Sequence, residues 1–149
     1  MKYIKLLPRC QIPDTRCQLC GGMYLNRDKK GDFMSSYKEL IVWQKSIQLV
    51  IDIYKLTKTF PKEEIYGLAS QMQRAVVSIP SNIAEGNDRN SSKEFSQFLR
   101  IARGSLAELE TQIIISEKLN YTNKEQIEPI LNNCYEIGRM INGLLTKFN

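Results

Sequence analysis

Apolar residues recur at three- and four-residue steps along four long stretches of this chain, the spacing of helices that bury one face. In the first stretch Leu40, Trp43, Ile47, Val50, Ile51 and Tyr54 mark the apolar stripe of a helix predicted over residues 36–59. Phe60-Pro61 ends it, because proline disfavours helical geometry in the residue before it. A second helix is predicted over 62–85, with Pro61 suited to its first turn and Glu63 and Glu64 at the positive end of its dipole. Its inner face is Leu68, Met72, Ala75, Val76 and Ile79. Pro80 lies inside that pattern, where it removes a hydrogen bond to the Val76 carbonyl and crowds it, at a cost of ~3 kcal/mol in a plain helix. Ile83 and Ala84 continue the periodicity, so one helix kinked at Pro80 is expected rather than two. Gly86-Asn87 predicts a left-handed C-cap.

The third helix opens on the capping box Ser91-x-x-Glu94 and runs to Leu119, with Phe95, Leu99, Ala102, Leu106, Leu109 and Ile113 on one face. Gly104 costs ~1 kcal/mol mid-helix, and the use expected of it is close approach of another backbone. The fourth helix opens on Thr122-x-x-Glu125 and carries Ile127, Ile130, Leu131, Cys134, Ile137, Ile141 and Leu144 to the C-terminus. The short connections make neighbouring helices antiparallel. The predicted fold is all-α: an antiparallel up-down-up-down four-helix bundle over residues 34–149, its second helix kinked at Pro80.

Residues 1–33 differ from this pattern. They hold Pro8, Pro13, Gly21, Gly22 and Gly31 without sustained periodicity, and read as an irregular N-terminal extension. Met34 is an alternative start, since codons for Lys30 to Phe33 can spell a purine-rich ribosome-binding sequence just before it. The extension changes the reading of charge. The formal net charge is +5, but residues 1–33 contribute seven basic and three acidic side chains, so the helical body carries only +1. A nearly neutral body weakens an argument for nucleic-acid binding from charge alone. No apolar run approaches the roughly 20 residues of a membrane span, and the N-terminus is not a signal peptide, so a cytoplasmic protein is expected.

The chain has no histidine, which excludes Ser-His and Cys-His pairs, H-E-x-x-H zinc sites and the Glu-x-x-His motif of di-iron bundles. Cys17-x-x-Cys20, with Cys10 nearby, could be half of a zinc knuckle or a redox pair, but it lacks the second ligand pair that a structural zinc site needs. Cys134 falls on an apolar stripe as a small buried hydrophobe. No metal or cofactor is expected.

Three groups of side chains carry the candidate sites. Ser78, Asn82 and Glu85 lie at i, i+4, i+7 on one side of the second helix. They could form a polar pocket, the alternative reading as an enzyme. Hydrogen bonding around the proline is preferred, because a freed carbonyl needs a donor. With Pro80, Gly86 and Gly104 they make up the structural set. Glu94, Phe98, Ile101, Ser105, Glu108 and Gln112 form a second, mixed stripe on the third helix, suited either to a subunit contact or to a solvated flank. Arg89, Lys93, Arg100 and Arg103 supply a basic face that could contact phosphates, though no aromatic platform interleaves it. Glu85 and Glu108 could serve as a carboxylate pair, but spacing does not bring them together, and no enzyme activity is expected.

The block Ser78-Ile79-Pro80-Ser81-Asn82-Ile83-Ala84-Glu85-Gly86 is specific enough to suggest kinship. Together with Leu40-Ile41-Val42-Trp43-Gln44-Lys45, Gly67-Leu68, Gln71, Arg74-Ala75, Glu94-Phe95, Phe98-Leu99, Ile101-Ala102, Gly104-Ser105-Leu106 and Glu108-Leu109-Glu110-Thr111-Gln112, it resembles the 23S ribosomal RNA intervening-sequence family. The resemblance covers residues 37–145. It implies a left-handed four-helix bundle that assembles into a homopentameric ring, and a ribosomal association whose molecular role is open. The chain is also similar to the nucleic-acid-binding accessory proteins of diversity-generating retroelements, which partner a reverse transcriptase. The near-neutral body departs from that strongly basic type. The resulting expectation is a non-enzymatic, cytoplasmic, homopentameric scaffold that binds RNA or ribosomal components weakly through helix three. A reverse-transcriptase accessory subunit is the alternative partner-binding role.

Overall fold

The computed structural model describes residues 36–148. The N-terminal extension, the alternative start at Met34 and the Cys17-x-x-Cys20 pair lie outside the described residues. Within them are four long α-helices, α1 (Ile41–Thr57), α2 (Leu68–Asp88), α3 (Ser92–Lys118) and α4 (Lys124–Phe148), with two short 3-10 turns and no strand. Each helix packs on two others: α2 on α1 and α3, and α4 on α3 and α1. Leu49, Ile53, Met72, Ile79, Ile83, Phe95, Leu99, Leu106, Leu109, Ile113, Ile137 and Ile141 are fully buried between them.

Helix α3 matches its sequence pattern throughout. Ser91 caps it, the Glu94 N–H donating to Ser91 Oγ at 3.4 Å, and all six expected inner residues are buried. Helix α1 departs in two ways. The chain enters through a 3-10 turn at Tyr37–Glu39 and an extended Leu40, so the helix starts five residues later than 36. Its inner face is also rotated from the predicted one, with Trp43 and Val50 at the edge of the core rather than its centre. Val42, Ser46, Leu49, Ile53 and Leu56 point into the core, and Ser46 is tolerated there because its hydroxyl donates to the Val42 carbonyl at 2.6 Å.

Glycine and asparagine account for the other differences. Gly67 (φ −97°, ψ −124°) separates a 3-10 turn at Lys62–Ile65 from α2, and Glu64 Oε2 accepts the Leu68 N–H at 2.8 Å in place of an N-cap side chain. Gly86 does not end α2. It is a buried helical residue, and the helix continues to Asp88. The left-handed positions belong instead to Asn90 (φ 52°) and Asn120 (φ 59°), which close α2 and α3. The Asn120 N–H donates to Glu117 O and the Tyr121 N–H to Ser116 O, a Schellman end with asparagine in the usual glycine place. The capping box of α4 lies one residue beyond Thr122-x-x-Glu125. Gln126 N–H donates to Asn123 Oδ1 at 2.9 Å, and Asn123 N–H donates to Gln126 Oε1 at 3.2 Å. Pro129 stands inside α4, a position the periodicity did not flag.

Candidate functional site

The three predicted groups all fall on α2 and α3, but the structure sorts them differently. Ser78 and Asn82 are drawn together. Asn82 Nδ2 donates to the Ser78 carbonyl at 2.7 Å and to Ser78 Oγ at 2.9 Å, and Ser78 Oγ lies 2.9 Å from Ser105 Oγ on α3. Ser81 Oγ donates to the Val77 carbonyl. The hydroxyl and amide groups around Pro80 therefore serve the Val77 and Ser78 carbonyls rather than that of Val76. Glu85 stands apart from this network. It turns to the surface and accepts from Arg89 at 2.8 Å. That hydrogen bond, and the attraction of the same carboxylate, hold the Arg89 guanidinium pKa above its usual value. The Arg89 guanidinium also lies 5.6 Å from the centroid of the Phe98 ring.

Gly86 lets α2 and α3 meet here. A Cβ on it would stand 2.6 Å from Phe98 Cβ and 3.1 Å from Phe95 Cδ2. Close approach is thus the role of Gly86. Gly104, which was expected to supply it, has nothing within 4 Å of an added Cβ.

Helical rotation of about 100° per residue orders the rest of α3 around its axis. Phe98 and Ser105 lie on the α2 flank, and Ser96, whose hydroxyl donates to the Phe148 carbonyl, lies on the α4 flank. The outward arc begins next to α2 with Glu94, Gln112, Ile101, Leu119 and Glu108. It continues through Ile115, Gln97 and Gly104 to Lys93 and Arg100, nearer α4. Ile101, Ile115 and Leu119 are 46%, 42% and 49% exposed. Gln112 is buried, its Nε2 donating to Glu108 Oε1 at 3.0 Å while its Oε1 has no hydrogen-bond partner among the described residues.

The basic set does not form one continuous face. Lys93 and Arg100 are exposed on the outer arc, whereas Arg103 is half-buried with its guanidinium beside Gly138 of α4. Arg89 is engaged at the α2 end by Glu85 and Phe98.

Sequence reasoning placed part of one group in the wrong environment. Of the apolar stripe predicted for the first helix, Leu40 is buried and Trp43 and Val50 pack against the core, whereas Ile51 and Tyr54 are exposed. Thr57 accepts from Gln73 of α2 at 2.9 Å, which marks the α2 flank of α1. From there, at about 100° per residue, Val50, Trp43, Tyr54, Ile47 and Ile51 follow in order to the outside. Tyr54 and Ile51 are 40% and 43% exposed, and Trp43, Ile47 and Val50 are half-buried. The signal was present in the sequence as a second apolar set, Val42, Leu49, Ile53 and Leu56, interrupted only by Ser46.

A cleft of about 440 Å³ between α1 and α4 is lined by Asp52, Lys55, Leu56, Thr59, Gln126, Pro129 and Ile130. It does not include Ser78, Asn82 or Glu85. Among the described residues, no three Cys, Asp or Glu side chains are grouped so as to hold a metal. Burial pushes the Cys134 thiol up to about 12.

The fold and this surface define a four-helix-bundle protein. The family model described as 23S rRNA-intervening sequence protein matches residues 38–143, and the chain belongs to that family. It is also similar to a solved protein of unknown function from the S23 ribosomal protein family of Bacteroides thetaiotaomicron. The two are 26% identical, with a TM-score of 0.66, over 70% of this chain and 98% of that one. No curated protein matches.

Proposed function

We propose that this protein is a non-enzymatic homo-oligomeric scaffold, a pentamer as its family resemblance implies, which binds RNA or ribosomal components weakly through α3. The observation that carries the oligomer is the outer stripe of α1. A helix already buried on one side exposes Ile51 and Tyr54, with the half-buried Ile47 beside them, and such a patch marks a contact surface. The bundle within each subunit is antiparallel, up-down-up-down. Supporting this, Phe95 at the start of α3 stacks edge-on against Phe148 at the end of α4, with centroids 5.2 Å apart, and Gly86 near the end of α2 faces Phe95 and Phe98. Pro80 kinks α2, with the Ser81 and Asn82 side chains bonding the adjacent carbonyls.

The RNA contact rests on Lys93 and Arg100, assisted by Arg89 and Arg103, and is weak because the body is nearly neutral. No helix among the described residues is long and apolar enough to cross a membrane, in keeping with a cytoplasmic scaffold. Light scattering on the full chain tests the assembly: a mass several times 17.2 kDa is expected, and a monomer at micromolar concentration overturns it. For the RNA arm, affinity for a ribosomal RNA fragment should fall with salt and with Arg100→Glu. Affinity indifferent to both removes that site.

A further inference from the structure

The near-neutral charge of the helical body conceals two unlike ends. Residues 92–107 of α3 and 135–148 of α4 hold five basic and two acidic side chains, a net of +3. Residues 108–118 and 124–134 of the same two helices hold two basic and five acidic ones, a net of −3. A polyanion responds to the charge within about a Debye length, roughly 10 Å at moderate ionic strength, and not to the total. The two acids of the basic half also face elsewhere. Glu94 lies toward α2, and Glu136 pairs with Lys45 of α1. The ion pairs among the described residues join Lys45 to Glu136, Lys55 to Asp52 and Arg89 to Glu85, and so use none of Lys93, Arg103, Arg139 and Lys147.

This basic half converges on the seam between α3 and α4. Arg103 places its guanidinium beside Gly138, and Ser96 donates to the Phe148 carbonyl. These two pairings set the register of the seam and bring Tyr135 of α4 opposite Ala107 of α3. From Gly138, at about 100° per residue, Asn142, Tyr135, Thr146 and Arg139 follow in order toward the outside. Tyr135 is 68% exposed. The α3 positions facing it, Ala107 and the neighbouring Gly104, are exposed and too small to cover its ring, and a Cβ added to Gly104 meets nothing within 4 Å. Arg139 stands one turn from Tyr135 on its own helix, and Arg103 about one turn away across the seam. The aromatic platform that α3 lacks when read alone is thus supplied by α4.

We infer that the basic half of this seam binds single-stranded RNA, with an unpaired base stacked on the Tyr135 ring and the flanking phosphates held by Arg103 and Arg139. This rests on the RNA reading above and moves its centre from the outer arc of α3 into the seam. An aromatic ring beside guanidinium groups takes any base by its face, which gives affinity without sequence preference. Paired bases offer no free face, so a duplex meets the arginines alone. Glu110 and Glu128, each about two helical turns further along, bound the site on its acidic side and limit it to a short run of nucleotides.

Fluorescence anisotropy of a labelled RNA strand, titrated with the full chain, tests this. Tyr135→Ala should weaken binding about tenfold or more. Tyr135→Phe should bind like wild type, since the ring and not the hydroxyl stacks. Arg139→Ala should lower the slope of log affinity against log salt by about 0.7, the share of one phosphate contact on a single strand. Inorganic polyphosphate, a polyanion without bases, should lose affinity with Arg139→Ala and keep it with Tyr135→Ala. Both positions are exposed, so the variants should fold, and circular dichroism checks this. RNA binding that ignores Tyr135→Ala and Arg139→Ala but is lost with Arg100→Glu overturns the seam and leaves the α3 reading standing. A duplex that binds as tightly as its single strand, or polyphosphate binding that falls with Tyr135→Ala, overturns the stacked base. A DNA strand of the same sequence that binds more tightly overturns RNA as the occupant. A wild type that binds no RNA overturns the parent reading instead.

Discussion

Replacing Gly86 with alanine adds a methyl group where α2 presses on α3, and the structure fixes what that methyl meets. The new Cβ stands 2.6 Å from Phe98 Cβ, 3.2 Å from Phe98 Cγ and 3.1 Å from Phe95 Cδ2. Ordinary carbon contacts lie near 3.5–4.0 Å, so the helices must separate locally by about 1 Å. Phe98 Cβ cannot swing aside, because it is bonded directly to the backbone of α3. Overpacking of this kind costs ~1–3 kcal/mol, and the rigid obstacle places it in the upper part of that range. Alanine returns ~1 kcal/mol of helix propensity over glycine. The net expectation is a loss of ~1–2 kcal/mol, which lowers the thermal midpoint by several degrees. Gly104→Ala in α3 is the matched control: the propensity gain is the same and an added Cβ meets nothing within 4 Å. It should stabilise the subunit by up to ~1 kcal/mol. Urea unfolding at one protomer concentration reads both, as shifts in midpoint with unchanged slope. Gly86→Ala as stable as its parent would refute the close packing of α2 on α3.

Asn123→Ala should destabilise by ~1 kcal/mol through loss of the cap on the Gln126 N–H, while Glu125→Ala should lie within about half a kcal/mol of wild type in the same urea titration. With Cys10, Cys17 and Cys20 replaced by serine, Cys134 should resist thiol reagents until the chain unfolds; rapid labelling of the native protein would contradict its burial. The pH dependence of Cys134 follows from its raised pKa. The native thiol holds its proton up to about 12, while an unfolded one releases it above its ordinary 9.0. The unfolded state therefore binds fewer protons between those values, and this contribution to stability is full below pH 9 and lost as pH rises toward 12. Cys134→Ala should flatten that part of the stability profile; an unchanged slope would assign it elsewhere.

How far the sequence could be read differed from helix to helix. α3 was legible because only one of its faces is continuously apolar, from Phe95 to Ile113, and Ser91 caps it unambiguously. α1 was not, because two faces are apolar and the polar Ser46 sits on the one that is buried. Periodicity reports an apolar stripe but not what covers it, and in α1 Trp43 and Val50 pack at the edge of the core while Ile51 and Tyr54 stay exposed. The α4 start was ambiguous in the same way: Thr122-x-x-Glu125 and Asn123-x-x-Gln126 overlap, and only hydrogen-bond geometry selects the second. Glycine misled twice. Gly86 was read as a cap when the left-handed residues are Asn90 and Asn120, and Gly104 was given the close approach that Gly86 makes. Of the candidate residues, Ser78 and Asn82 come together as spacing suggested, and Ser105, which spacing had set on a subunit-contact stripe of the third helix, joins them across the α2–α3 seam. Glu85 and Arg103 were displaced by local partners, Arg89 and the α4 surface at Gly138, that spacing along one helix does not reveal.

Native mass spectrometry of the full-length chain tests the central claim most directly, because it counts subunits. A homo-oligomeric scaffold of the proposed kind predicts one dominant species, a pentamer, with no ladder of larger assemblies. A spectrum dominated by the 17.2 kDa monomer across micromolar concentrations would contradict it.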